Sequence, residues 1–410
     1  MINLKIKRAL PTVICILLLI AAVAAAGIGK QAAQKETNTA KSETQETAKG
    51  EKPKKTEEMR GVWVTYFELN MAGEADKSEK AFRNKFEKTA QRAKNLGFNT
   101  LIVQVRPFCD ALYESQYFPY SHILSGTQGK SPGYDALKIM CEICKSKSLK
   151  IHAWINPYRV KLNETPKELS EDNPYFYDES VCIETDSQII LDPSNEEARK
   201  LIINGIDEIV SNYDVDGIQF DDYFYPSDIG DNDSEQYNEY LKSAAGGNAM
   251  ILEEWRKYNV NLLVSQAYMT VHGKNKGLVF GISPQGNLKN NDRLAADVIS
   301  WCCAEGFLDY ICPQIYFSLD NPKLGFEESL KEWCELDFSE SVKLYVGLAG
   351  YKAASDADDG TWLESDTILA DEYKIIQKYQ KVSGIMLYSS VNLDEDDKKA
   401  EIENLTKLFK

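Results

Sequence analysis

Short continuous runs of apolar residues alternate along the chain with longer segments whose apolar residues recur at helical spacing. A short apolar run bounded by turn residues is typical of a strand buried on both faces, and apolar positions three and four apart are typical of an amphipathic helix. This pattern predicts strands over 61–66, 100–105, 150–155, 215–220, 278–282, 310–316, 342–348 and 385–388. It predicts helices over 78–96, 135–148, 195–210, 237–269 (interrupted near 246–247), 294–304, 326–334, 366–379 and 398–409.

The strict alternation of strands and helices favours one closed barrel. Eight strands that are each followed by a helix indicate an α/β fold, a (β/α)₈ TIM barrel, over an open doubly wound sheet. No Gly-x-Gly-x-x-Gly motif or phosphate loop follows the first strand, which weakens the dinucleotide-binding alternative. The connections after strands two, three and four are long and rich in Tyr, Pro and Asp. In a barrel they fall on the carboxyl-terminal face of the strands, where we expect the functional site.

The segment before the first strand has the composition of a leader and a tether. Lys5, Lys7 and Arg8 precede an apolar run over 9–28. Such a run is typical of a signal peptide and nearly long enough to span a bilayer, so cleavage and retention as an anchor both stay open. The next residues carry almost no large apolar side chains, which predicts a disordered linker. The predicted organisation is a signal peptide or membrane anchor at 1–29, a linker at 30–58 and the barrel at 59–410.

Composition and charge narrow the class of partner. The net charge of −16 argues against nucleic acid, because phosphate binding needs clustered Lys and Arg. Cys141 and Cys144 are three residues apart without a second such pair, and His122, His152 and His272 are scattered, so the sequence predicts no zinc site. We therefore expect no metal and no cofactor. The leader predicts an extracytoplasmic protein, either secreted or anchored to the outer face of the cell membrane; the oligomeric state is not indicated.

The most informative segment lies at the end of the fourth strand. The apolar run over 215–220 ends in two adjacent carboxylates, Asp221 and Asp222, followed by Tyr223. Because consecutive strand residues point to opposite faces, both acids can face one cleft only if the strand has ended there. Carboxylates flanked by rings at the carboxyl end of a buried parallel strand are typical of a sugar-handling site. An ordinary acidic loop is the alternative interpretation of this segment alone.

Amides, aromatic rings and carboxylates also occur at the other predicted strand ends. Amides donate and accept hydrogen bonds at once, as sugar hydroxyls require, and rings pack on sugar faces. We predict three catalytic carboxyl groups, in the order Asp222, Asp221 and Asp110. The predicted substrate-binding residues are Trp63, Tyr66, Glu68, Arg106, Trp154, Asn156, Tyr158, Tyr223, Gln285, Asn287, Gln314, Tyr316 and Tyr388.

Some of these residues have more than one interpretation. Arg106, beside Asp110, is suited to hold a carboxylate ionised or to bind a substrate carboxylate such as a lactyl group, and structural pairing is the alternative. Glu68 is a further candidate acid. Asn156 and Gln314 have the alternative role of satisfying loop backbone groups.

Several segments, in this order, resemble the glycosyl hydrolase-like family 10 domain. They are Arg60-Gly61-Val62-Trp63-Val64, Gln104-Val105-Arg106-Pro107 with Asp110-Ala111-Leu112-Tyr113, Ala153-Trp154-Ile155-Asn156-Pro157-Tyr158, Asp216-Gly217-Ile218-Gln219-Phe220-Asp221-Asp222-Tyr223, and Gly281-Ile282-Ser283-Pro284. The resemblance implies a bacterial, exported or lipid-anchored TIM barrel that hydrolyses glycosides. It implies peptidoglycan glycan strands as the substrate of some members.

The expected chemistry is that of a carboxylate glycosidase. One carboxyl group with a raised pKa protonates the glycosidic oxygen, and another acts as nucleophile or as base to water. Strand four is also similar to the Asp-Gly-x-Asp-x-Asp-x-Glu motif of family 18 chitinases, but Gln219 and Tyr223 stand at matching positions, so the acid of that motif is missing.

We therefore predict an exported hydrolase acting on a cell-envelope polysaccharide, with peptidoglycan glycan strands as the favoured substrate. A non-catalytic glycan-binding barrel tethered at the cell wall is the alternative. A geometric criterion distinguishes the two functions: a hydrolase needs Asp222 and a second carboxyl group in one cleft, and a binding protein does not. Retention or inversion stays open.

Overall fold

The computed structural model describes residues 58–244, 247, 249–275 and 277–409. The predicted leader, and the predicted linker up to residue 57, lie outside the described residues, so their organisation stays a prediction. Within the described part of the chain, no helix combines the length and the apolar character needed to cross a bilayer.

Eight parallel strands close into a barrel, which confirms the predicted fold. They are β1 Met59–Val64, β2 Thr100–Arg106, β3 Lys150–Ile155, β4 Gly217–Phe220, β5 Val279–Ile282, β6 Tyr310–Ile311, β7 Lys343–Ala349 and β8 Val382–Tyr388. Strands adjacent in sequence are adjacent in the barrel, and β8 pairs with β1. The strands are mainly apolar because helices cover the outer face while side chains fill the interior.

A helix follows each strand and packs on the outside of the barrel. These helices are α1 Glu79–Asn95, α2 Ala136–Ser146, α3 Glu196–Asn212, α4 Leu252–Lys274, α5 Val298–Cys303, α6 Phe326–Cys334, α7 Ile368–Ile376 and α8 Lys399–Thr406. Short helices in the connections are Tyr66–Leu69, His122–Ser125 and Ser234–Ser243, and 3₁₀ turns are Pro174–Phe176, Glu179–Val181, Leu288–Leu294, Gly350–Lys352, Asp358–Leu363 and Ser390–Leu393. Local caps set the starts: the Asn195 side chain, for example, accepts from Ala198 N at 3.1 Å.

The barrel interior is filled by alternate residues of the strands. A buried cluster contains Trp63, Ile102, Trp154, Tyr310, Cys312, Tyr345 and Met386. Gly281 on β5 makes room for this filling, since a Cβ there would lie 2.1 Å from the Tyr310 ring. Because side chains alternate along a strand, the next inward positions toward the carboxyl ends lie directly above this cluster. These positions form the floor of the site described below.

Two features of the strands differ from the sequence-based prediction. β6 covers only Tyr310–Ile311 instead of 310–316, because Pro313 has no N–H to continue the ladder. The connection after β3 contains an antiparallel sheet of three short strands, Arg159–Leu162, Cys182–Glu184 and Gln188–Leu191, for which no strand was predicted. Strands of three or four residues carry too few positions to display an alternating pattern.

Candidate active site

A cavity of about 450 Å³ opens at the carboxyl ends of the barrel strands. Ten of the residues predicted from the sequence line it: Asp221, Asp222, Trp63, Tyr66, Trp154, Tyr223, Gln285, Gln314, Tyr316 and Tyr388. Both acids of the strand-four pair therefore face the same cavity. They are almost completely buried, with 4% of Asp221 and 8% of Asp222 exposed.

Asp221 continues the inner face of β4. Gln219, two residues earlier, accepts from Trp63 Nε1 at 2.7 Å inside the barrel, and alternation places Asp221 on the same side. Its carboxylate accepts hydrogen bonds from N–H groups on β3, on the residue after β3 and on its own loop. Trp154 Nε1 donates to Oδ2 at 3.0 Å, Asn156 Nδ2 donates to the same oxygen, and the Tyr223 N–H donates to Oδ1 at 3.3 Å.

A relay of two buried amides fixes the orientation of the Asn156 donor. The backbone N–H of Tyr66 donates to Gln104 Oε1 at 3.0 Å, and Gln104 Nε2 donates to Asn156 Oδ1 at 2.6 Å. A backbone N–H can only donate, so neither amide can reverse without losing a hydrogen bond. Asn156 therefore presents its Nδ2 to Asp221. All the hydrogen-bond partners described for Asp221 are donors, an arrangement that favours the ionised carboxylate.

Asp222 has different partners, from β5 and β6. Gln314 Nε2 donates to Oδ1 at 3.1 Å, and the same nitrogen donates to the backbone oxygen of Ser283 at 2.9 Å, which fixes that amide as a donor. Gln285 Nε2 donates to Oδ2. Within the described residues, no hydrogen bond holds the side-chain oxygen of Gln285, so its amide can turn and accept a hydrogen bond instead. A protonated Asp222 can therefore donate its proton in a hydrogen bond to the Gln285 side-chain oxygen.

Burial is the main influence on both carboxyl groups. Desolvation raises the pKa of Asp221, the Arg159 guanidinium lowers it, and the Asp222 charge raises it again. Burial also raises the pKa of Asp222, against the lowering effect of the Gln285 and Gln314 hydrogen bonds. Both acids thus have a pKa above the usual range of aspartate, and burial raises the pKa of Asp221 to about 7. Because the two acids influence each other, we assign the ionised group from the hydrogen-bond partners: the donors around Asp221 are fixed, whereas one amide beside Asp222 can reverse.

Aromatic rings form one wall of the cavity. Tyr316, Tyr351 and Tyr388 lie within 5.9 Å of one another between ring centroids, and Trp63 lies 6.1 Å from Tyr388. Phe67, at the rim, packs on a neighbouring ring and is largely exposed. Exposed ring faces around a polar floor suit the apolar faces and hydroxyl edges of sugars.

The structure corrects the position predicted for Arg106. Gln104 pairs with Trp154 across the β2–β3 boundary, but Arg106 pairs with Ile155, so β2 advances two residues while β3 advances one. This bulge turns Arg106 off the inner face. Its guanidinium lies 4.6 Å from the ring centroid of Phe118, and Nη2 donates to a backbone oxygen at 3.2 Å. Arg106 therefore does not line the cavity.

Asp110 also lies outside the cavity. It is fully buried, accepts from Gln128 Nε2 at 3.1 Å, and has Oδ2 3.4 Å from His122 Nδ1. It braces the loop after β2, and the geometry gives it no access to a substrate. The catalytic role predicted for Asp110 therefore has no support in its position.

The remaining predicted residues outside the cavity hold loops in place. Glu68 accepts from the backbone and hydroxyl of Thr65, at 2.8 and 2.9 Å, and from Ser390. Tyr158 is buried, and Asn287 caps a helical turn by accepting from the Lys289 N–H at 3.1 Å. Asn156 is buried beneath the floor, where it acts through Asp221.

The cavity also contains residues for which no role was predicted. They are Thr65, Phe67, Gln104, Arg159, Leu162, Ser283 and Tyr351. Gln104 could have been predicted because it lies two residues after the inward Ile102, and alternate strand residues point to the same side. Tyr351 could have been predicted because it lies two residues beyond β7. Arg159 follows the third predicted strand, but it was not among the predicted substrate-binding residues, and the antiparallel strand that it begins was not predicted. In the described part of the chain, no group of three or more His, Cys, Asp or Glu residues is placed to hold a metal ion.

Comparison with known proteins agrees with this architecture. Residues 58–364 match the model of the family described as glycosyl hydrolase-like 10. Glycosyl hydrolase YngK of Bacillus subtilis (strain 168) is 33% identical over 360 residues, which cover 83% of this chain and 69% of that protein. Glycosyl hydrolase DigH of Escherichia coli (strain K12) is 30% identical over 367 residues, covering 80% of this chain and 82% of that protein.

Among solved structures, the PgaB (BpsB) glycoside hydrolase domain from Bordetella bronchiseptica has the same fold. It superposes with a TM-score of 0.58 at 12% identity, over 85% of this chain and 99% of that one. At this identity the likeness concerns the fold alone. The family match and the relatives together show that the chain belongs to the glycosyl hydrolase-like family 10.

Proposed function

We propose that this glycoside hydrolase cleaves the glycan strands of a bacterial cell-envelope polysaccharide, peptidoglycan being the favoured substrate. The proposal rests on one observation above all: two buried carboxyl groups face the same cavity with different hydrogen-bond partners. Asp221 meets only N–H donors, and Asp222 meets one amide that can reverse. Pairs of acids whose surroundings push their protonation apart are the requirement of glycosidase chemistry.

In the proposed reaction, Asp222 acts as the general acid. Its proton passes to the glycosidic oxygen as the bond from that oxygen to the anomeric carbon breaks. The ionised Asp221 faces the positive charge that develops on the sugar, and it either attacks the anomeric carbon or activates the water that supplies the new hydroxyl. In the first case, water then cleaves the glycosyl–Asp221 ester and its proton passes to Asp222. In the second case, the proton of the water passes to Asp221, which releases it to solvent while Asp222 takes up a proton for the next cycle. The Asp221 carboxylate is held for this role by the Trp154 and Asn156 donors.

The envelope glycan is supported by two independent features. The ring-lined cavity, with further exposed rings such as Phe67 and Tyr351 at its rim, suits a sugar polymer better than a small metabolite. The apolar run over 9–28 after a basic start predicts delivery outside the cytoplasm, where such polymers lie. The relatives named above are glycosyl hydrolases by their names, and nothing in those names extends to a substrate.

The test is incubation of the purified full chain with peptide-bearing and peptide-free glycan strands, with released sugars measured by mass spectrometry. We expect Asp222→Asn to reduce release by about 10² to 10⁴-fold, the usual contribution of a general acid. Asp110→Asn is the matched control, because this buried aspartate lies outside the cavity. Thermal unfolding of each variant verifies that it is folded.

Release that is unchanged in Asp222→Asn would remove this residue from the mechanism. Equal losses in Asp222→Asn and Asp110→Asn would indicate damage to the fold instead of lost chemistry. If the wild-type chain binds glycan strands and releases nothing, the protein is the non-catalytic glycan-binding barrel.

A further inference from the structure

Among the described residues that line the cavity, Arg159 is the positively charged one. Only 6% of the residue is exposed, so most of its guanidinium is removed from water. Its Nε donates to the backbone oxygen of Pro107 at 3.0 Å, and the guanidinium carbon lies 5.1 Å from the Phe108 ring centroid and 4.8 Å from that of Tyr223. One backbone hydrogen bond and two ring faces therefore fix the plane of this side chain.

The charge of Arg159 has no direct counter-ion in the described part of the chain. No carboxylate there lies within 4.0 Å of its nitrogens. The charge lowers the pKa of both Asp221 and Asp222 through space. However, the oxygens of these acids are already occupied by N–H donors from other residues. A largely buried cation without a contacting anion is an expensive arrangement, unless a ligand supplies the anion.

The terminal nitrogens of Arg159 are the part that remains for a ligand. The hydrogen bond to Pro107 uses only Nε, and the two Nη atoms form no hydrogen bond with the described residues. A planar guanidinium held by ring stacking presents a fork of parallel N–H groups, and the matching acceptor is a carboxylate bound through both oxygens. A sugar hydroxyl is neutral, so it leaves the guanidinium without a contacting anion.

We infer that Arg159 binds a carboxylate on the substrate, and that the enzyme selects glycans with an acidic sugar beside the bond it cleaves. The inference rests on the proposed function, since it assigns the substrate class of the same cavity. The lactyl carboxylate of a muramic acid unit and the carboxylate of a uronic acid share this chemistry. Binding of a substrate carboxylate was one of the roles predicted for Arg106. The bulge in β2 turns Arg106 away, and Arg159 is the arginine that lines the cavity among the described residues.

The test compares two forms of one substrate. Peptide-free glycan strands carry free lactyl carboxylates, and carbodiimide activation followed by borohydride reduction converts these groups to neutral alcohols. We expect the wild-type kcat/KM to be about 10- to 100-fold higher on the acidic strands, the range for a hydrogen-bonded charged group. In Arg159→Gln this ratio should fall toward one, with the larger loss on the acidic strands. Arg159→Lys keeps the charge without the fork and should give an intermediate ratio.

A wild-type kcat/KM ratio near one would overturn the inference. Equal losses of kcat/KM on both substrates in Arg159→Gln would overturn it too, because Arg159 would then act only through Asp221 and Asp222. Comparing acidic strands that carry muramic acid with an oligouronate distinguishes the two sources of the carboxylate. If neither glycan form is cleaved, the proposed function fails. The inference is then decided by calorimetric binding of the two forms to Asp222→Asn protein, where equal affinities for both would refute it.

Discussion

The amide relay beneath Asp221 gives the sharpest prediction, which concerns Asn156→Leu. Leucine has a similar size but removes the Nδ2 donor, so Asp221 keeps only the Trp154 and Tyr223 N–H groups. A hydrogen bond to a charged group contributes about 1.5 to 3 kcal/mol, and one pKa unit corresponds to about 1.4 kcal/mol. The pKa of Asp221 should therefore rise by about 1 to 2 units.

The direction of the pH effect follows from the role proposed for Asp221. Asp221 acts as the ionised group, so activity increases with pH as its proton leaves. A higher pKa for Asp221 moves this rising limb of kcat/KM to higher pH by the same 1 to 2 units or so. The falling limb, where Asp222 loses its proton, should stay nearly in place because Asn156 does not contact Asp222.

The assay is the pH dependence of kcat/KM on peptide-free glycan strands. Gln219→Met is the matched control, because Gln219 is also a buried inward amide, bonded to Trp63 and not to Asp221. Asn156→Leu also leaves Gln104 Nε2 without its acceptor, which should lower the free energy of unfolding by about 1 to 3 kcal/mol. An unshifted rising limb, or the same shift in Gln219→Met, would refute the relay as the device that keeps Asp221 ionised.

Two further predictions concern other carboxyl groups. Gln314→Leu removes a fixed donor whose hydrogen bond lowers the pKa of Asp222, so the falling limb of kcat/KM should move to higher pH; a shift to lower pH would contradict the assignment of Asp222 as the acid. Glu372 is fully buried without a hydrogen-bond partner in the described residues, and burial raises its pKa well above the usual range, so the folded protein holds a proton that the unfolded chain loses. Glu372 therefore destabilises the folded protein increasingly as pH rises above the usual glutamate pKa. At pH 8, Glu372→Gln should have a larger free energy of unfolding in urea than wild type, and this difference should shrink toward pH 4 by at most about 1.4 kcal/mol per pH unit. A difference that does not depend on pH would contradict this.

The barrel could be predicted because its signals are local. Apolar runs and helical spacing depend on residues close in sequence, so the strands and helices were found with small differences at their ends. β6 was predicted too long because its apolar run continues through Cys312 and Ile315, although Pro313 interrupts the ladder. The antiparallel sheet that begins at Arg159 depends on pairing between segments some thirty residues apart, as between Arg159 and Ile190, and was therefore not visible.

The site was predictable only as far as the strand-end rule extends. The rule locates residues at the carboxyl ends of the strands. It located Trp154 because this residue points inward from β3, and Asp221 and Asp222 because they come directly after β4. It failed at Arg106 because a bulge shifts the alternation by one residue, and no residue type in the sequence marks that shift. The roles of the acids were less accessible still, because they depend on which amide atom each neighbour presents.

Two neighbouring aspartates can take different protonation states because the strand ends between two sets of neighbours. Asp221 stays on the inward face of β4 and meets the Trp154 and Asn156 donors. The orientation of the Asn156 amide is anchored, through Gln104, at the backbone N–H of Tyr66. Asp222, one residue later, turns toward β5 and β6 and meets amides, of which the Gln285 side chain has a free carbonyl within the described residues. Burial raises the pKa of both groups, and it does not by itself assign their roles. The asymmetry lies in the anchoring of the partners, so variants that alter the anchor, and not the acids, are the ones that separate the two limbs of the pH profile.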